Sequence, residues 1–423
     1  MRYYLAVFLA VFGLGAPWYA LTYPDQFRNF LISVSDTSDQ VALVILSHNP
    51  KTVEQIKSKY LASNTSTPSR KVSILIVPGH EANYGGAEFG SLKERDLNIQ
   101  LANNLQKLLQ SNEHFQVFVT RSEKSWNPVF DTYFATGWQD IVTWTKAHHE
   151  EMTQLISVGS IKPVVPTVIH NKAPTDVAYR LFGMTKWANE NDVDIIIHIH
   201  FNDNPGHGPN TPGKYSGIAI YVPEKQYYNS TTTLAVAESV FKRLSRFNPV
   251  SDLPGESTGI VEEPDLIAIG AYNTSDAASM LIEYGYIYEP QFVKDDLRKA
   301  SIVDLAFQTY LGLQDFFDKN MVVSKSLSYD TLLLPYEWRD TSSMTTGSSS
   351  EIYALQTAFV VDGVYPPKDK KMNDCPRTGS FGPCTMKALE EFQNKYDITG
   401  EKGIVGPKTR SVLNSKFGIS LVI

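Results

Sequence analysis

Runs of consecutive apolar residues, separated by segments of helical periodicity, constrain the fold of this chain more than any other feature. VSILIV at residues 72–77 is largely apolar, and DIIIHIHFND at residues 194–203 contains a run of three isoleucines, as expected of strands that are covered on both faces. The segment that begins at Leu92 instead carries leucines at helical spacing. This alternation predicts an α/β fold in which helices flank a mostly parallel sheet.

The rest of the chain divides by composition. Stretches on both sides of the α/β domain are rich in Ser and Thr, and the C-terminal part carries helical patterns that predict a small all-α domain. An aromatic-rich segment inside the α/β domain is too long for an ordinary connection. The predicted division is a signal peptide or membrane anchor at 1–21, a polar segment or linker at 22–71, the α/β domain at 72–318 with an insertion at about 122–174, a linker at 319–351 and the helical domain at 352–417.

The N-terminal segment predicts export. Arg2 precedes an uncharged apolar run that ends near Leu21, which is typical of a signal peptide, and this run is nearly long enough to span a bilayer. The sequence is compatible both with a signal peptide that is cleaved and with a membrane anchor that is retained. Either one predicts a location in the cell envelope or outside the cell, with membrane contact only through this segment.

The two cysteines, Cys375 and Cys384, fit an exported protein. A pair so close in sequence predicts a disulfide that closes a short loop, whereas two sulfurs alone make a poor zinc site. The alternative is two unpaired cysteines in a core.

The charge of the chain bears on its partners. The formal net charge is -7, so the composition supplies no general basic surface for phosphate contacts. We therefore expect no nucleic-acid partner.

Side chains that can bind a metal lie where the predicted strands end. His80 follows the first strand, His198 and His200 lie in DIIIHIHFND, Glu283 lies in a later apolar run, and Glu94 stands at the start of a helix. Each residue alone is more commonly structural. Because the carboxyl ends of parallel strands meet at one edge of a sheet, His80, Glu94 and His200 could converge on one metal ion.

Several short motifs occur in a distinctive order. A strand ends in PGH, the loop YGGAEFG and the motif ERDLN follow, and TR, AN, IHFN and LIEYG come later. In this order the chain resembles the zinc-dependent N-acetylmuramoyl-L-alanine amidases of the amidase-3 type. The resemblance covers about residues 72–313.

The resemblance implies both a reaction and residue roles. It implies one Zn²⁺ ion with His80, Glu94 and His200 as ligands, and Glu283 as the catalytic glutamate. The bond cleaved would be the amide between N-acetylmuramic acid and L-alanine, which makes peptidoglycan the expected partner, with an activator protein as a further candidate. An alternative enzyme is a zinc carboxypeptidase that cuts within the stem peptide of peptidoglycan by the same metal chemistry. The ERDLN motif does not support this alternative. An inactive wall-binding scaffold would lack a ligand or the glutamate, and all four are present.

Two residues of the IHFN strand have less defined roles. His198 stands where family members commonly have Ser, and strand alternation places it on the same side as His200. His198 therefore stays an alternative ligand, a partner of the ligands or a substrate contact, although only His200 matches IHFN. Asn202 is a candidate for the last two roles.

The helical domain resembles the peptidoglycan-binding repeat found beside wall hydrolases. An insertion before Phe381, YPPKDKKMNDCPRT, departs from that pattern. A helical appendage without a ligand is the alternative. The matching positions are Leu355, Gln356, Asp362, Gly363, Phe381, Gly382, Thr385, Ala388, Phe392 and Gln393.

The insertion at about 122–174 is predicted to form a helical cover over the site. It contains His148 and His149, which are adjacent and so do not share a helix face. Their spacing favours a solvent-exposed helix surface over a metal site.

Overall fold

The computed structural model describes residues 48–62, 71–170, 172–204, 206–318, 333–339 and 347–418. The predicted signal or anchor at 1–21 lies outside the described residues, as does most of the linker at 319–351. Within these ranges no helix combines the length and apolar character needed to cross a bilayer. The described residues fall into two compact units, one made of residues 48–49 with 142–163 and the other of the described residues in 50–141 and 164–418.

A six-stranded sheet organises the larger unit. Its order is β4-β1-β5-β8-β6-β7, and a separate short hairpin joins β2 and β3. The four neighbouring strands β4, β1, β5 and β8 are parallel to one another. Strand β6 runs antiparallel to β8 and parallel to β7. The predicted α/β fold with a mostly parallel sheet is confirmed. In chain order the strands are β1 (Val72–Pro78), β2 (Glu88–Phe89), β3 (Leu92–Lys93), β4 (Phe115–Val119), β5 (Ile195–Asn202), β6 (Ala219–Pro223), β7 (Ile260–Glu263) and β8 (Ala278–Tyr286).

Helices cover both faces of the sheet. Residues of α2, α5 and α7 share one apolar core with the sheet, and residues of α4 and the first part of α3 share a second core. This double cover explains why the central strands are largely apolar. The helices of the described residues are α1 (Val53–Ala62), α2 (Glu94–Gln110), α3 (Pro128–Ser157), α4 (Thr175–Glu190), α5 (Ser230–Phe247), α6 (Pro290–Val293), α7 (Asp295–Phe317), α8 (Ser350–Asp362), α9 (Pro383–Lys395) and α10 (Pro407–Phe417).

Helix α1 differs from the sequence prediction. Polar composition predicts a linker over residues 22–71, yet α1 lies within that range and buries Ile56 and Tyr60 in the larger core. The Tyr60 hydroxyl donates a hydrogen bond to Gln314 at 3.1 Å. Two apolar residues four apart bury one face of a short helix, a signal too small to change the composition of the segment.

Strand β5 sends alternate side chains to the two cores. Ile195, Ile197 and Ile199 lie in the core with α2, whereas Ile196 lies in the core with α4. His198 and His200 have the parity of Ile196, so both project from the same face of the strand. The register of this one strand therefore decides which layer receives the two histidines.

The C-terminal helices contain a repeated arrangement. Buried Gln356 of α8 donates from Nε2 to Thr385 Oγ1 at 2.9 Å, and buried Gln393 of α9 donates from Nε2 to Thr409 Oγ1 at 3.0 Å. Each threonine lies in the first turn of the next helix, within the related sequences GPCT and GPKT. Both glutamines thus hold a loop against the following helix, which gives these pattern positions a structural role.

A buried ion pair joins the C-terminal helices to α7. Cys375 and Cys384 form a disulfide, and Arg377 lies in the loop that this bond closes. Arg377 Nη2 lies 2.7 Å from Asp304 Oδ2, and both side chains are essentially inaccessible to solvent. Arg377 Nε also donates to the carbonyl oxygen of Phe247 at 2.6 Å. The short loop therefore fixes one cation deep between α7 and α5.

Arg377→Met is expected to lower the free energy of unfolding by about 3–5 kcal/mol, because Asp304 would stay buried without its ionic partner. Lys299→Met is the matched control. The Lys299 and Asp295 side chains are 72% and 64% exposed, and exposed pairs contribute only about 0–1 kcal/mol. Denaturant unfolding of both variants measures the difference. Equal, small effects would contradict the assigned role of Arg377.

Candidate active site

Three predicted ligands meet at the carboxyl edge of the sheet. His80 follows β1, Glu94 is the first residue of α2, and His200 lies near the end of β5. The Glu94 Oε2 atom is 2.8 Å from His80 Nε2, and Oε1 is 2.9 Å from His200 Nδ1. The donor atoms of the three side chains all lie within 4.8 Å of one another. Residues separated by more than 100 positions thus form one cluster.

Glu94 is a buried carboxylate surrounded by donors. It is 4% exposed, and its oxygens also accept hydrogen bonds from the backbone amides of Ala87 at 2.8 Å and Phe201 at 3.2 Å. Burial alone would raise the pKa of Glu94. The charges of His80 and His200 and their hydrogen bonds outweigh burial and lower the pKa below its usual range. The cluster therefore holds a carboxylate in its ionised form.

Two glycines of the sequence motifs make room for the histidines. A Cβ atom on Gly79 would lie 2.3 Å from Cε1 of His200, closer than any real side chain permits. Gly86 has a φ of +87° and a Cβ there would lie 2.9 Å from Cδ2 of His80. The PGH turn and the YGGAEFG loop thus need glycine because the imidazole rings pack directly against the backbone.

Arg121 and Asn98 hold the turn that carries His80. Arg121, which is 2% exposed, donates from Nη2 to the Gly79 carbonyl at 2.7 Å and from Nε to the Pro78 carbonyl at 3.2 Å. Asn98 Nδ2 donates to the same Gly79 carbonyl at 3.1 Å. Burial lowers the pKa of Arg121 to about 10, which leaves it cationic at neutral pH. The arginine of the TR motif and the final residue of ERDLN therefore hold the backbone turn that precedes His80.

Glu283 lies directly beside the cluster. In the β5–β8 ladder it pairs with His200. Its Oε2 atom is buried and has no hydrogen-bond partner among the described residues. Burial first, and then the negative charges of Glu94 and Glu256, raise the pKa of Glu283 well above its usual range. A carboxyl group with an unpartnered oxygen thus faces the three candidate ligands.

His198 is placed differently from His200. It is 3% exposed, pairs with Val77 and Leu281 on the neighbouring strands, and is not part of the three-residue ligand cluster. Burial first, and then the charge of His200, lower the pKa of His198 to about 3. Its imidazole is therefore neutral at physiological pH, and the cluster geometry favours His200 over His198 as the ligand.

Asn202 belongs to a hydrogen-bond network that the sequence does not reveal. Its Nδ2 donates to Glu256 Oε1 at 2.8 Å, and Glu256 also accepts from Tyr221, Ser251 and Tyr286. Glu256 is 1% exposed. It lies in an irregular stretch after α5 and in none of the motifs, so no sequence signal identifies it.

His170 lies against this network. Its ring is 4.9 Å from the Tyr221 ring in a T-shaped arrangement. The pKa of His170 is lowered, mainly by burial. The charge of Glu256 opposes this shift, and the charge of His200 adds to it. One end of the predicted insertion therefore reaches the surroundings of the candidate ligands.

A family model described as N-acetylmuramoyl-L-alanine amidase matches residues 74–301, which is more than half of the chain. The chain belongs to this amidase family. The matched range contains His80, Glu94, His200 and Glu283. Membership identifies the protein as a peptidoglycan amidase, an enzyme for the N-acetylmuramoyl-L-alanine amide bond.

Solved amidase structures show only distant similarity. The N-acetylmuramoyl-L-alanine amidase from Clostridium difficile is 18% identical, with 59% of this chain and 99% of that chain covered and a TM-score of 0.36. The CwlD amidase from Clostridioides difficile in complex with the GerS lipoprotein is 14% identical, with 59% and 100% covered and a TM-score of 0.38. The amidase from Mycobacterium smegmatis is 13% identical, with 59% and 98% covered and a TM-score of 0.39. The family assignment rests on the match to the family model. No curated protein matches the chain.

Gly79→Ala is expected to lower the free energy of unfolding of this amidase by about 1–3 kcal/mol, because the added methyl group displaces the His200 ring. Gly137→Ala is the control, since a Cβ at that position in α3 meets no atom within 4 Å. Alanine there should leave stability unchanged or raise it by about 0.5–1 kcal/mol. Thermal unfolding compares the two variants, and an unaltered Gly79→Ala protein would show that the close approach is absent.

Proposed function

We propose that this amidase is a zinc-dependent enzyme that acts outside the cytoplasm and cleaves the amide bond between N-acetylmuramic acid and the L-alanine of peptidoglycan stem peptides. One observation carries the proposal. A half-buried glutamate with a buried, unpartnered oxygen, Glu283, lies in register with His200 of a compact His-Glu-His cluster. A ligand set and a general base are thus adjacent.

The cluster has the donor chemistry that zinc requires. Hydrolytic zinc sites use three protein ligands drawn from His, Asp and Glu. His80, Glu94 and His200 supply two imidazoles and an ionised carboxylate, with their donor atoms within 4.8 Å of one another. When bound, zinc would polarise the amide carbonyl and lower the pKa of water.

Glu283 would perform the proton transfers. A cation held by the cluster would favour the ionised form of Glu283, whose unpartnered oxygen accepts a proton from the attacking water as the water oxygen bonds to the amide carbon. The same proton then passes to the leaving nitrogen when the carbon–nitrogen bond breaks. The products are the lactyl carboxylate of the sugar and a free L-alanine amine, so no other reactant is needed.

Asn202 and His198 would support the reaction without taking part in it. The Asn202 side chain already donates to Glu256, and its Oδ1 accepts from the Asp203 amide at 2.8 Å. Both ends of the amide are therefore engaged in fixing the end of β5. His198, which is neutral and buried on the same face of β5 as His200, would pack against the ligand set.

The C-terminal helices would bind the cell wall. Support comes from the repeated GPxT and glutamine arrangement, which matches the pattern of the peptidoglycan-binding repeat. The apolar N-terminal sequence and the disulfide favour export. An activator protein stays a prediction.

Full-length protein incubated with purified peptidoglycan should generate free L-alanine amino termini, which mass spectrometry identifies. A zinc chelator should abolish their release, and added Zn²⁺ should restore it. Glu283→Gln is expected to lower the rate at least about 100-fold, because the variant lacks the general base, while its zinc content stays unchanged.

Glu262→Gln is the matched control for that experiment. Glu262 is an exposed glutamate of β7, so its replacement should leave the rate unaltered. Release of only a terminal D-residue would identify a carboxypeptidase instead. Activity that survives complete chelation would overturn the zinc dependence.

A further inference from the structure

The smaller unit contains a second cluster of metal-binding side chains. It consists of His48, which precedes α1, and of His148 and Glu151, which lie in α3. His148 is 4% exposed and Glu151 is 2% exposed. The predicted solvent-exposed position of His148 is therefore wrong. Adjacency shows that His148 and His149 cannot share a helix face, but it does not show which of the two faces is covered.

Helix geometry and a distant segment assemble the three side chains. His148 and Glu151 are three residues apart, so they lie on one face of α3. His48 joins them from a position 103 residues before Glu151. The Trp144 ring, one turn before His148, packs edge to face against the His148 ring at 4.3 Å and fixes its orientation.

The distances within the cluster suit metal ligands better than hydrogen bonds. A single atom, Glu151 Oε2, lies 3.4 Å from His48 Nε2 and 3.4 Å from His148 Nδ1. Good N–H···O bonds are about 2.9–3.0 Å long. Four ligands placed tetrahedrally at about 2.0–2.1 Å from zinc lie about 3.3–3.4 Å from each other.

Two polar atoms of the cluster also lack hydrogen-bond partners. His148 Nδ1 and Glu151 Oε1 are buried, and neither makes a hydrogen bond to any described residue. Buried polar atoms in native proteins are rarely left in this state. A cation placed between the rings and the carboxylate would satisfy the imidazole nitrogen and neutralise the buried carboxylate.

We propose that His48, His148 and Glu151 form a second metal site that binds a divalent transition-metal ion, with zinc the best match to two imidazoles and one carboxylate. Water completes the tetrahedron. The ion cross-links the segment at residue 48 to α3, and so closes a loop of about 100 residues that no disulfide in the described part of the chain closes. Its role is structural, and it is separate from the cluster at the carboxyl edge of the sheet.

The test measures zinc bound per chain in a protein that lacks the first cluster. Full-length His80→Ala/His200→Ala protein is saturated with zinc, passed through gel filtration and assayed by plasma mass spectrometry. It should retain one zinc ion per chain. Adding His148→Ala or Glu151→Gln should lower zinc affinity at least about 100-fold and remove that ion.

His149→Ala, placed in the same double variant, is the matched control. His149 is next to the cluster but not part of it, so the zinc ion should remain. Circular dichroism checks that each variant keeps its helix content. Glu151→Gln keeps the size of the side chain, and it provides a folded comparison should His148→Ala unfold. Cobalt substitution gives a second readout, because tetrahedral Co²⁺ absorbs strongly in the visible range.

Two results would overturn the second site. One is a His80→Ala/His200→Ala protein that binds no zinc, and the other is retention of its zinc and of the cobalt spectrum after both cluster substitutions. The outcomes for the two clusters are distinguishable. A wild-type protein with a single zinc that disappears in His80→Ala/His200→Ala would refute the second site and leave the proposed catalytic metal intact.

Discussion

The contact of the buried Glu94 carboxylate with two imidazoles is the interaction on which the catalytic edge depends. Glu94 bridges His80, which lies in the turn after β1, and His200, which lies on β5. A carboxylate that is 4% exposed is costly unless charges and hydrogen bonds compensate it. The histidines provide that compensation here, and a bound metal ion would provide more. Much of the surrounding backbone serves this contact, because Gly79 and Gly86 admit the rings and Arg121 holds the turn before His80.

Strand register connects this contact to the chemistry. The pairing of His200 with Glu283 places the proposed ligand and the proposed proton acceptor side by side on β5 and β8. A shift of one residue in either strand would turn one of the two side chains to the opposite face of the sheet. The apolar runs that made the strands recognisable also fix their register, since each face is buried in its own core. Folding and the proposed catalysis therefore depend on the same alternation of side chains.

The sequence predicts those parts of the molecule in which local pattern and chemistry coincide. The α/β class follows from the apolar runs, and the grouping of His80, Glu94 and His200 follows from strand ends and ordered motifs. Glu256 could not be predicted, because its four hydrogen-bond donors come from β5, β6, β8 and a loop that no local pattern connects. Helix α1 was not predicted because the segment that contains it is mostly polar. The burial of His148 was not predicted because it depends on contacts distant in sequence. The features that the sequence did not predict all depend on long-range packing, which a single sequence does not display.

The proposed function requires that His80, Glu94 and His200 hold one catalytic zinc ion and that His198 does not. Anomalous diffraction at the zinc edge from crystals of the full-length protein tests it most directly. We expect a peak about 2.0–2.2 Å from donor atoms of His80, Glu94 and His200, with Glu283 nearby but not bonded to the ion. The absence of a peak at this cluster, or a peak ligated by His198 in place of His200, would contradict the account.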